Sequence, residues 1–116
     1  MYRGTDNHLH ELYWSFGEVG HDDLTNASDT PAAVGDPAAY FASAAGTHHV
    51  VFRSGDGHLR HLSWTTAAVR HDDLTFLAGA PNAVSDPAAY LAADGTTHHV
   101  IYRSADDHLH DLSFVD

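Results

Sequence analysis

Apolar and polar residues alternate along this chain in short runs, as in "HHVVFRS" (48–54) and "HLRHLSW" (58–64). A period of two with β-branched and aromatic residues predicts β-strands. No amphipathic helical period lasts beyond about two turns. Four extended pieces recur. Strand a spans 37–43 and again 87–93, and strand b spans 47–54 and 97–104. Strand c spans 58–65, with copies opening at His8 and His108, and strand d spans 69–75 and 19–25. The stretch "TPAAVGDP" is punctuated by Pro and Gly and predicts a loop.

The faces of these strands follow from their period. Val50 and Phe52 share one side of strand b, and Val51 takes the other. Leu59 lies on one side of strand c, Leu62 and Trp64 on the other. Both faces are apolar, so both should be covered. Between b and c, the last turn residue is Asn7, Gly57 or Asp107. These are the residue types that tolerate a left-handed backbone, which a short hairpin ending in positive φ requires.

The copies keep a fixed spacing: His8, His58 and His108 align, as do Leu12, Leu62 and Leu112. The period is 50 residues, and roughly half of the positions match between units. Four-stranded antiparallel units of this length, buried on both faces, predict an all-β fold. Its architecture is a β-propeller of four-stranded blades. A sandwich or β-prism built from repeats is the competing architecture. The whole chain reads as one repeat domain, with a partial blade at 1–25, a full blade at 37–75 and a partial blade at 87–115. A lone blade has bare edges, and two cannot close a ring. The expectation is therefore a homo-oligomer, a trimer or tetramer of two-blade chains, closing one ring. In it the N-terminal d would complete the C-terminal a–b–c, leaving the N-terminal c without a place.

Composition narrows the chemistry. At 116 residues the chain is the size of one ordinary domain. It contains no cysteine, which removes disulfides and thiolate metal sites. Acidic residues outnumber basic ones 16 to 5, for a formal charge of −11. Such a field repels phosphate backbones, so nucleic acid is not an expected partner. No apolar run approaches a membrane span, and the N-terminus lacks a signal-peptide pattern. The 12 histidines make the charge strongly dependent on pH near 6.5.

"HLH" at His8/His10 and at His108/His110 puts two imidazoles on one strand face, half of a zinc site. Arg60 breaks that pattern in the middle copy, and no metal or other cofactor is expected. "HDDLT" at His21 and His71 gathers a histidine, carboxylates and a hydroxyl, the ingredients of a catalytic triad. Its presence in both units points instead to a structural hydrogen-bond network, and no enzyme is expected.

The segments "VVFRSGDGHLRHLSW", "DPAAY" and "HDDLT" resemble the repeat of bacterial propeller proteins related to fucose-binding β-propeller lectins. The likeness spans nearly the whole chain, as repeat grammar. At this length the chain is similar to a two-blade fragment of such a lectin, or to an engineered module. The resemblance implies sugar pockets between adjacent blades. There an arginine and an acid clamp hydroxyls while an aromatic ring packs on the sugar. Carried onto this sequence, the carbohydrate-binding residues are Arg3, Arg53 and Arg103, Glu11 and Asp111, and Trp14, Trp64 and Phe114. The middle copy departs, with His61 in the acid slot. From the residues alone, the arginines read rather as ion-pair partners of Asp6, Asp56 or Asp106, and the tryptophans as wedges between blades. The functional expectation is a lectin-like assembly that binds glycans. The alternative is a structural or engineered self-assembling module without a ligand.

Overall fold

The computed structural model describes residues 1–66 and 69–115. In chain order the elements are β1 (Tyr2–Arg3), β2 (Leu9–Ser15), β3 (Glu18–Asp23), α1 (Leu24–Ser28), β4 (Ala38–Ala42), β5 (Thr47–Arg53), β6 (Leu59–Trp64), β7 (Arg70–Asp73), α2 (Leu74–Ala78), β8 (Ala88–Leu91), β9 (Thr97–Arg103) and β10 (Leu109–Val115). They pair into three antiparallel sheets. Sheet 1 is β1-β2-β3, sheet 2 is β4-β5-β6-β7, and sheet 3 is β8-β9-β10. The repeat therefore appears as b–c–d, a–b–c–d and a–b–c.

Each b–c turn ends as the residue types require. Asn7, Gly57 and Asp107 have φ of 63°, 82° and 65°. Those turns fix the register, so that in sheet 2 Arg53 faces Leu59 and His48 faces Trp64.

Sheet 2 carries a core on each face, as the alternation of Val50, Val51 and Phe52 demands. Val50, Phe52 and Leu62 pack with Leu9, Leu24 and Ala33 toward sheet 1. Val51 and Leu59 pack with Val100, Tyr102 and Leu112 toward sheet 3. The outer sheets are covered on one side only. Leu59 is fully buried, whereas its copy Leu109 is 76% exposed; Leu62 is fully buried, whereas Leu12 is 45% exposed.

Two features depart from the sequence reading. Strand d ends at Asp23 and Asp73, and the next residues begin one-turn helices. Each aspartate caps its helix by accepting from the amide three residues on, and Asp29 or Gly79 closes it in the left-handed region. The second departure concerns the N-terminal c and d. They form β2 and β3 of a local hairpin in sheet 1, and within the chain β3 does not pair with the C-terminal sheet. A turn at Phe16 and Gly17, both at positive φ, closes that hairpin. Its loop entropy is far smaller than that of closure across the chain.

The connections between sheets are stitched alike. Ala33 donates to the Asn7 carbonyl at 2.9 Å, and Val34 to the Arg53 carbonyl at 2.9 Å. Ala83 and Val84 repeat this with Gly57 and Arg103, at 2.8 and 2.9 Å.

Candidate functional site

The "HDDLT" segments resolve into structural contacts. Asp73 accepts from the Phe76 amide at 3.1 Å and pairs with His58 Nδ1 at 2.7 Å. Thr75 Oγ1 accepts the Leu59 amide at 2.8 Å in a buried position. Asp23 and Thr25 repeat the scheme with Asn26, His8 and Leu9. Burial works against the Asp73 charge, but the His58 ring and the Phe76 amide hold its carboxyl below the ordinary range. These atoms serve the helix cap and the strand edge. His71 Nε2 is buried without a hydrogen-bond partner. Burial, then the nearby Arg60 cation, push its ring below the ordinary histidine value.

The arginines sit at the turn end of strand b. Arg3 donates to Asn7 at 3.3 Å and Arg103 to Asp107 at 2.9 Å. Arg53 lies 3.7 Å from Asp86, in the loop before β8. The aromatic slot lies at the opposite end of the sheet. Trp64 faces His48, five positions from Arg53 along β5, or about 17 Å at ~3.4 Å per residue. The arginine of a sheet therefore does not meet its aromatic partner. The offset that separates them was present in the hairpin register.

Acid and aromatic slots do meet, but across sheets. Between sheets 1 and 2 lies a cleft of about 690 Å³ lined by Glu11, Tyr13, Asp22, His48, Trp64 and Val69, among others. A neighbouring hollow of about 280 Å³ shares Glu11, His48 and Trp64 and adds Tyr40 and Phe41. The Trp64 indole stacks on His48, with centroids 5.4 Å apart and planes at 13°. Tyr13, Asp22 and His48 joined this group without a sequence signal of their own. Strand period could place Tyr13 beside Glu11, but only sheet packing brings Trp64 opposite.

The corresponding position between sheets 2 and 3 is filled. His61 replaces Glu11, and its ring packs 5.0 Å from Phe114. Phe114 stacks on His98 at 4.8 Å, and His49 Nδ1 and His61 Nε2 share a hydrogen bond of 2.8 Å. Tyr40 bonds His98 Nδ1 at 2.7 Å. The remaining slot residues lie at the two outer faces. Trp14 is 76% exposed, and Asp111 accepts from His99 at 3.0 Å near the other end of the stack.

No protein-family model matches the sequence, and no curated protein matches it. Among solved structures, the chain is similar to a fucose lectin from Kordia zhangzhouensis in complex with methyl-fucoside. The TM-score is 0.74 at 19% identity, covering 99% of this chain and 82% of that one. At that identity the likeness is one of fold. The three antiparallel sheets fit a β-propeller-like lectin fold.

Proposed function

We propose that this chain is a carbohydrate-binding protein whose ligand enters the cleft between sheets 1 and 2. The observation that carries this is the lining: an indole and a phenol beside two carboxylates in one open cleft. An aromatic face covers the apolar C–H face of a sugar. Carboxylates accept hydrogen bonds from its hydroxyls, and the Tyr13 hydroxyl serves as donor or acceptor. Trp64 and Glu11 are the aromatic platform and the hydroxyl clamp in this reading. The arginines Arg3, Arg53 and Arg103 hold turns and loops. The fold shared with a fucose lectin makes methyl-fucoside the first ligand to try.

The reading extends to copies of the chain. Glu11 shares a cleft with Trp64 of the next sheet, and His61 packs on Phe114 of the one after. By the same step Asp111 would meet Trp14 of a second copy stacked head to tail. The exposed Leu109 and Leu12 faces are the two halves of the contact that sheet 2 already makes. Copies joined this way close a ring, and native mass spectrometry counts them.

A glycan array, followed by thermal unfolding with methyl-fucoside, tests the binding reading. Binding is expected for the wild type, with at least a tenfold loss in Trp64→Ala and in Glu11→Gln. A flat array at high protein concentration would sink it. That outcome would favour a structural module without ligand, a reading supported by the filled position at His61, His98 and Phe114.

A further inference from the structure

We propose that Asp6, His8 and Asp23 form a site for a divalent cation of the zinc class, present in sheet 1 alone. Among the described residues, these three offer ligand atoms that all lie within 4.8 Å of one another. His8 Nδ1 is 2.8 Å from Asp23 Oδ2 and 3.9 Å from Asp6 Oδ2. Ligands around a tetrahedral zinc stand about 3.3 Å apart. Binding would widen the His8–Asp23 contact by about 0.5 Å and draw the exposed Asp6 carboxylate inward. One imidazole and two carboxylates leave the fourth position for water.

The repeat supplies the argument that this is more than a paired histidine. In sheet 2 the same place already holds a cation. Arg60 Nη2 lies 2.8 Å from Asp56 and Nη1 lies 3.6 Å from Asp73, so the guanidinium bridges the two equivalent carboxylates. Ser54 adds a hydroxyl donor to Asp56. Sheet 1 has lost both groups. Gly4 stands where Ser54 does, and His10 stands where Arg60 does. A Cβ on Gly4 would come 2.7 Å from Asp6 Oδ1 and 3.0 Å from the His10 ring, so glycine is what lets these two side chains close in.

His10 then acts on Asp6 as an orienting neighbour. Its Nε2 lies 3.2 Å from Asp6 Oδ1, while Nδ1 bonds His21 Nε2 at 2.8 Å. Such outer partners fix the direction of a metal-binding carboxylate. Among the described residues, sheet 3 has Asp106 and His108 but no strand d, and so no counterpart of Asp23. The acidic chain favours cation approach. A bound ion would tie the β1–β2 turn to the end of β3, where β1 itself has only two residues.

Zinc chloride titrated calorimetrically into the full chain at neutral pH tests this. One saturable site per chain is expected, with a rise in melting temperature. Gly4→Ser/His10→Arg, which restores the sheet 2 chemistry, should bind at least tenfold more weakly. His8→Gln should do the same while leaving the Asp23 cap in place. His110→Arg, the same exchange in sheet 3, should bind as the wild type does. Circular dichroism verifies that each variant is folded. The proposal fails if the wild type shows no saturable site. It fails equally if both sheet 1 variants bind as tightly as wild type, which would mean an adventitious ion only, taken up by other histidines.

Discussion

Thr75 and His71 lie close in sequence, and both are decided by burial. Thr75→Val keeps the shape of the side chain and removes the acceptor for the buried Leu59 amide. An amide left unsatisfied costs about 1–3 kcal/mol, which should appear as a lower urea midpoint with unchanged slope. An unchanged midpoint would mean that the bond contributes nothing. His71 is held below its ordinary value of 6.5 by burial and then by Arg60; Asp72 and Asp73 pull the other way with less effect. The unfolded ring therefore binds a proton more readily than the folded one. Stability from the neutral ring is present above pH 6.5 and is lost as the pH falls through that value toward the lower folded one. Between pH 7.5 and 5 the wild type should lose more stability than His71→Gln. Equal losses would place the titration elsewhere.

At the scale of elements, the b–c hairpins are the best-specified parts. Gly57→Ala puts a Cβ on a residue at φ 82° and within 3.0 Å of Asn82 Cβ. It should destabilise by about 1–2 kcal/mol from the backbone alone, as read by thermal unfolding. A neutral result would contradict the left-handed turn. This turn was legible because three different residues, Asn7, Gly57 and Asp107, share one tolerance. The strands and their buried faces were legible too, since Val50, Val51 and Phe52 cannot all face one side. The one-turn helices after Asp23 and Asp73 were not read, because five residues are too few to show a helical period. Their signal was local: an aspartate placed to cap, then a left-handed stop at Asp29 or Gly79. The cleft was half legible. Glu11 and Trp64 were named from their slots, but slots assigned by position in a repeat say nothing of distance. Only the antiparallel register shows that Arg53 and Trp64 sit at opposite ends of one sheet.

At the scale of the whole molecule, the same leucine is buried in the middle and bare at the ends. Leu109→Asp changes an outer face and leaves both internal cores untouched. If copies meet through that face, the variant should remain folded and appear smaller by native mass spectrometry. Retention of the wild-type mass would show that the face is not an interface, and a wild type that is itself a single chain would do so directly. In such an interface the new charge would be buried without a partner, which costs enough to separate the copies.

The paired amides of Ala33 and Val34, repeated at Ala83 and Val84, carry a consequence for how such chains grow. Each joint fastens the turn behind it to the strand ahead through the same two backbone amides. Copying the residues from one joint to the next lengthens the protein without inventing a new fastening. A further copy of the 50-residue unit would bring its own joint with it; an insertion that separates Ala33 from Val34, or Ala83 from Val84, would break one.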